Sequence, residues 1–381
     1  MKKFWTFILS LALLISVPSL THAAQTSPSP SASNEPTQIA GQPQQNEFYL
    51  ARVSQIVEEG NRELGEGFTQ PYQKIKLVIL NGAERGKEIE MEHGSLYTIS
   101  DEQKVKKGEF VVVTKSFQAD QPTYYIADRY RVVAVAIGFV LVFIAWAILG
   151  RGKNLGMLVS LIGSFLVTYM YLVPRLIVEK SSYIPLAIGV LVILALLSYI
   201  GYGVGKKSTV IFASGIVTSI LVSLVSFLLF KFAYISGTGS EEAIFLQTGA
   251  VDPIGLKALL MAGVVVGTLG VITHLANKQI GIVMNLKESF KKLKKQDLFK
   301  KSVINPENNL SSYIAIMFLA YFGTMLPLVM LFGANPGVPF WVTFNSEFII
   351  EEIARLLVAI SAIVLVIPVS SFVSLYIFPK K

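Results

Sequence analysis

Asn345-Ser346-Glu347-Phe348-Ile349-Ile350-Glu351-Glu352-Ile353-Ala354-Arg355 runs without a break into the apolar segment Leu356 to Tyr376. That segment can cross a ~30 Å hydrocarbon core as a helix rising ~1.5 Å per residue. On a helix Glu347, Glu351 and Arg355 are spaced by four and share one face. Charges beside a hydrocarbon-length helix are costly unless paired or hydrated. Asn345, Glu347, Glu351, Glu352 and Arg355 are therefore the candidate polar cluster, inside the membrane or at its interface.

Length arithmetic allows two placements. Counting ~20 residues back from Tyr376 reaches Leu357, which leaves Arg355 at the outer interface and Glu347 in water. Alternatively, Pro368 bends or breaks the helix, and Val338 to Phe348 dips back as a re-entrant segment. Asn345 and Glu347 then line a vestibule, with Arg355 held by Glu351 in the favourable order, acid before base.

Six more apolar runs precede this one, at 132–149, 155–172, 183–201, 209–230, 256–274 and 314–332, the last being 354–376. Hydrophobic residues make up 52% of the chain and charged residues 15%, with a mean hydropathy of +0.57. Soluble domains carry ~25% charged residues. The expected fold is an α-helical multispanning membrane protein with seven mature transmembrane helices. Pro327 and Pro368 fall inside runs, and Gly263, Gly267 and Gly270 place small residues on the fifth helix, for close helix packing or a thin backbone beside a path.

Loop charge orients the runs. Loops on one side carry fourteen Lys and Arg residues, eight of them between Lys278 and Lys301; loops on the other side carry four. The basic side is cytoplasmic. This places the mature N-terminus outside a bacterial cytoplasmic membrane and the C-terminus inside. Residues 1–23 agree: a basic start, an apolar core and Thr21-His22-Ala23 form a signal-peptide pattern. Residues 24–46 are Ser/Pro/Gln-rich and read as a disordered linker. Ile280, Ile282, Val283 and the lysines after them suit either a helix along the anionic inner leaflet or a solvated basic helix.

Residues 47–127 differ in kind. Gln73-Lys74-Ile75-Lys76-Leu77-Val78-Ile79 alternates, Asn81-Gly82 marks a turn, and Phe110 to Thr114 and Tyr124 to Ala127 read as strands. A small extracytoplasmic β-domain is expected, an OB-like barrel or a sandwich. Residues 47–128 hold ten basic and fourteen acidic side chains, so no nucleic acid is expected as a partner.

Several chemistries lack their residues. With no cysteine, disulfides, thiolate metal sites and thiol nucleophiles are excluded. His22, His93 and His274 are scattered, so no metal site is expected. No phosphate-binding Gly-x-x-x-x-Gly-Lys-Ser/Thr loop and no His-Glu-x-x-His occurs. No catalytic residue, cofactor or enzyme activity is assigned. The expected partners are the lipid bilayer and either further copies of the chain or a sister membrane subunit.

The chain resembles the YibE/F-like family of bacterial multispanning membrane proteins over roughly 48–376. The matching pieces include Tyr125 to Arg131, Gly150 to Gly156, Leu172-Val173-Pro174, Ala320-Tyr321-Phe322-Gly323 with Leu326-Pro327-Leu328, and Phe344 through Glu347, Glu351 and Arg355 to Pro368-Val369-Ser370. Where the family often carries acids, this chain has Thr273-His274; a Gly-Arg-Asp-like element is replaced by Val303-Ile304-Asn305-Pro306. The resemblance implies the architecture and no established activity. The residues leave two roles open: a permease or channel subunit for a small solute or ion, or a non-transporting envelope protein whose spans hold the β-domain for a partner.

Overall fold

The structure is a computed structural model that describes residues 47–63, 69–94, 98–118, 121–150, 155–178, 183–249, 255–305, 308–333 and 337–377. The expected signal peptide and linker lie outside these residues. Within these residues two units are distinguished, one up to Leu149 and one from Gly150 onward.

Strands β1 (Glu47–Glu63), β2 (Thr69–Ile79), β3 (Glu88–His93), β4 (Phe110–Gln118) and β5 (Gln121–Arg129) form one antiparallel sheet in the order β3-β2-β1-β4-β5. The alternation in β2 turns Ile75, Leu77 and Ile79 inward. Ile75 and Leu77 meet Val53, Met91, Val111, Val113 and Ile126 of the other strands in one small core, and Ile79 meets Tyr49 and Ile89 in another. β1 is 17 residues long and pairs with both neighbours. Register shifts at Val53/Gln55 and Ile56/Glu58 add bend and twist to it.

The sheet is open. Among the described residues no ladder joins β3 to β5, so the expected closed barrel is not formed, and with one sheet neither is a sandwich. Side chains bridge the gap instead: Tyr124 Oη of β5 donates to Glu84 in the β2–β3 turn at 2.8 Å, and Lys115 Nζ of β4 lies 2.7 Å from the same carboxylate. The Lys115 hydrogen bond is the main cause that pulls the Glu84 carboxyl down to about 2. His93 is buried, with Nε2–H donating to the Gln103 carbonyl at 3.1 Å, so it is satisfied within the domain. Burial pushes its pKa below the usual histidine value. Helix α1 (Val132–Leu149) follows the sheet in this unit, and none of its side chains is buried.

The second unit is a helix bundle. Helix α2 runs Leu155–Val167, through a π-helical turn Thr168–Leu172, into Val173–Val178. Ser164 and Thr168 turn their hydroxyls back onto the carbonyls four residues earlier, just before the π turn. α3 (Ile184–Ala195) ends in a second π turn, Leu196–Gly201. Then come α4 (Lys206–Phe232), α5 (Glu241–Gly249), α6 (Leu256–Ser289), α7 (Lys295–Val303), α8 (Leu310–Gly333), α9 (Phe340–Phe344) and α10 (Glu347–Ile377). With α1, the helices α2, α3, α4, α6, α8 and α10 make seven among the described residues that are long and apolar enough to cross a membrane.

α6 and α10 run furthest past their apolar runs. α6 has 34 residues, ~51 Å, and α10 has 31, ~46 Å. The stretch after 274 therefore neither breaks nor turns immediately. It continues α6 and is capped by α7, whose Leu298 packs on Val283 and Leu375. Buried Gln279 fastens this end, donating to the Ser302 carbonyl at 2.8 Å and to Ser371 Oγ at 2.7 Å.

α4, α6 and α10 form the centre of the bundle. Lipid tails are as apolar as leucine, so burial of apolar area drives helix association weakly, and close approach through small residues matters more. The inward faces show this: Ser214, Gly215, Thr218 and Ser226 on α4, and Ala354, Ala359, Ala362, Ser370 and Ser374 on α10. The glycine face of α6 is not in such packing. Gly263 and Gly270 look onto open space, and the nearest group to Gly267 is Tyr321 Oη.

Candidate functional site

α10 opens with its charges. Glu347 stands in the first turn, where the exposed N–H groups and helix dipole favour an acid. Consecutive helical residues are turned ~100° apart, so Glu351 and Glu352 cannot face the same way. Glu351 turns into the bundle, with its side chain 1% exposed, whereas Glu352 is 19% exposed and turns toward α8.

Arg355 bridges the two. Its Nη2 donates to Glu351 Oε1 at 2.5 Å, and Nη1 lies 3.3 Å from Glu352 Oε1. Its Nε is buried and has no acceptor. Asn345 caps α9, its backbone N–H bonded to the Trp341 carbonyl, and its side chain is exposed. The structure thus brings Glu351, Glu352 and Arg355 into one ion network, sets Glu347 one turn away, and leaves Asn345 outside it.

The partner of these carboxylates is a loop that the sequence reading did not single out. Between α4 and α5 the chain reads Ser236-Gly237-Thr238-Gly239-Ser240. One oxygen of Glu347 accepts from the backbone N–H of Ser236 (2.7 Å), the Ser236 hydroxyl (2.6 Å) and the backbone N–H of Gly237 (3.0 Å). The other accepts from the Thr238 hydroxyl at 3.3 Å. Glu351 Oε2 accepts from the backbone N–H of Gly239 at 2.9 Å. Two carboxylates thereby satisfy three backbone donors of a non-helical segment packed on the bundle, which is what such a segment requires away from water.

Glycine is needed twice in this strap. Gly237 has φ +89°, in the left-handed region that other L-residues avoid. A Cβ on Gly239 would stand 2.6 Å from Glu351 Oε2 and 2.8 Å from the Glu347 carbonyl oxygen, so the strap can lie this close only without a side chain. The sequence signal was a glycine at every second position among small hydroxyl residues, in a loop facing the end of a charged helix.

Beside the strap lies a cleft of about 780 Å³. Gly239, Ser240, Glu241 and Glu242 line one side, and Ala320, Tyr321, Thr324, Met325 and Leu328 of α8 another. Phe348, Glu352 and Arg355 of α10 complete it. Pro327 also lines it; lacking an N–H, it leaves the Gly323 carbonyl without its helical partner. The volume falls within the ~300–1,000 Å³ of small-molecule sites. Among the described residues no group of three or more His, Cys, Asp or Glu could hold a metal ion.

The arrangement sets the carboxylates of Glu241, Glu242 and Glu352 and the guanidinium of Arg355 against apolar side chains in a cleft of small-molecule size. No curated protein and no solved structure gives a significant match to the chain. The family model described as YibE/F-like protein matches residues 138–380, which begins inside α1 and so omits the β-sheet that the sequence resemblance had included. From within α1 to the end of the bundle, straps and cleft included, the chain belongs to the YibE/F-like protein family.

Proposed function

We propose that this protein is a permease or channel subunit for a small solute or ion, and that the cleft beside Glu352 and Arg355 is part of the solute path. The observation that carries this is the position of the cleft along α8. Tyr321 is ~17 Å from the start of α8 at Leu310 and ~18 Å from its end at Gly333. If α8 spans the bilayer, a cavity lined by Tyr321 and Thr324 sits near half depth, where a charged group is costly and marks function by default. The proline in the wall fits the same role, because it leaves the Gly323 carbonyl without a helical partner beside the cleft. The spans are oriented with the β-domain outside and the lysine-rich α6–α7 end in the bacterial cytoplasm, as the loop charges imply.

The chain contains no cysteine, so a single introduced thiol reports its own surroundings. Thr324→Cys is expected to react with a membrane-impermeant methanethiosulfonate, while Leu319→Cys, exposed on α8 but outside the cleft lining, is not. Equal inertness of the two would overturn the solute path. A second reading keeps one observation of its own: the β-sheet has separate cores and lies outside the family match. On that reading the spans anchor a partner-binding β-domain, and the inert outcome favours it.

A further inference from the structure

We propose that the cleft takes an organic cation, an ammonium or phosphonium with an apolar body, and that Glu352 is the carboxylate that holds it. This rests on the cleft being a solute path and names the class of solute.

The argument starts from charge balance. Three carboxylates, Glu347, Glu351 and Glu352, gather at the head of α10, and among the described residues Arg355 is the one cation bonded to them. Glu347 is satisfied by four neutral donors and a helix N-terminus. Arg355 is committed at 2.5 Å to Glu351, which is sealed below Gly239 and does not line the cleft. With all three groups ionised the network Glu351–Arg355–Glu352 carries a net charge of one negative; Arg355 and Glu352 both line the cleft, and Glu352 is the network's carboxylate there, in looser contact at 3.3 Å.

A surplus charge in surroundings of low dielectric is unfavourable until a counter-ion arrives. Among the described residues lining the cleft there is no cation besides Arg355 to supply it, since α8 contributes Tyr321 and the strap side contributes Glu241 and Glu242. Arg355 also lines the cleft and keeps spare Nη hydrogens, but its single charge is already outweighed by the two carboxylates it contacts, so the balance of the network still favours a positive guest.

Size and walls decide which cation. A bare metal ion would leave most of 780 Å³ unfilled, and among the described residues the carboxylates of the cleft do not gather into a group of three that could hold one. The same walls suit an apolar body, and the rings of Tyr321 and Phe348 can face a weakly hydrated cation, an attraction that strengthens away from water. Glu352 supplies the charge, and the aromatic and aliphatic walls supply the fit.

The test uses the full chain in lipid nanodiscs and two ions of one shape, tetraphenylphosphonium and tetraphenylborate, with binding to empty nanodiscs subtracted. Saturable binding of the phosphonium alone is expected. Glu352→Gln is expected to weaken it at least ~10-fold, and Glu352→Asp to hold it within ~3-fold. Retained unfolding midpoints in both variants establish that they fold. Equal binding of the two ions, no saturable binding of either, or an unchanged affinity in Glu352→Gln would each overturn the assignment. Displacement of the phosphonium by excess K⁺ would overturn it in favour of an inorganic ion. If Thr324→Cys reacts with aqueous reagent while phosphonium binding fails, only the solute class is lost; if Thr324→Cys is inert, the path is lost with it.

Discussion

Removing the Glu351 carboxylate should separate a buried ion pair from an exposed one. In Glu351→Ala, two things are lost together: the 2.5 Å charge-assisted bond to Arg355 and the acceptor for the Gly239 N–H. Breaking a buried pair from one side costs ~3–5 kcal/mol, because the surviving charge stays buried. Arg355 is 31% exposed and keeps Glu352, which moves that figure to its lower end or below. Orphaning a buried backbone donor adds ~1–3 kcal/mol. A destabilisation of ~3–4 kcal/mol is expected for Glu351→Ala. Arg355→Ala should cost somewhat less, ~2–3 kcal/mol, because Glu351 keeps the Gly239 donor. The double variant should lose less than the sum by ~1 kcal/mol or more, since the second change removes the charge the first left stranded. The assay is reversible unfolding of all four proteins in one detergent with increasing denaturing detergent. Strict additivity, with each single change under ~0.5 kcal/mol, would refute the reasoning and leave a solvated pair with no bearing on the bundle.

Four further outcomes are expected. Gly239→Ala should cost ~1–3 kcal/mol, since its Cβ would stand 2.6 Å from Glu351 Oε2; an unchanged unfolding midpoint would contradict the close strap. In intact cells an impermeant thiol reagent should label Tyr234→Cys, which is 90% exposed, and spare Lys292→Cys; the reverse pattern would invert the topology. Residues 47–130 expressed alone should give a β-type circular dichroism spectrum, and a helical or coil spectrum would show that the sheet depends on the spans. Because the folded-state pKa of Glu84 is depressed to about 2, its contribution is fully present above the unfolded value of ~4.3 and is lost as pH falls through about 2. Acid unfolding of that same segment should therefore shift to higher pH in Glu84→Gln; superimposable titrations would count against the Lys115–Glu84 bridge.

The periodic features of this chain are readable in the sequence, and the non-local ones are not. Seven spans follow from run length because the bilayer fixes how many apolar residues a helix needs. The spacing of Glu347, Glu351 and Arg355 likewise foretells a shared face. It does not tell that Glu351 is sealed while Glu352, one residue on, meets a cleft; that depends on what α8 and the strap place opposite. The strap itself escapes a sequence reading, since its meaning lies in residues more than a hundred positions away. Barrel closure fails for a similar reason: alternation specifies strands and faces, whereas closure depends on edge pairing that β3, six residues long, does not make with β5. The extension of α6 past residue 274 was obscured because lysines end the apolar run without ending the helix.

The strap also sets an order of events during synthesis. Ser236 and Glu347 are 111 residues apart. At ~5–20 residues per second, roughly 6–22 s separate the appearance of the donor from that of its acceptor. Through that interval the N–H groups of Ser236, Gly237 and Gly239 have no carboxylate to bind, so they must stay with water or another transient partner. Insertion of the final helix is then the event that lets the α4–α5 loop settle. A chain that stops before α10 has every earlier span complete and this loop without its fastening.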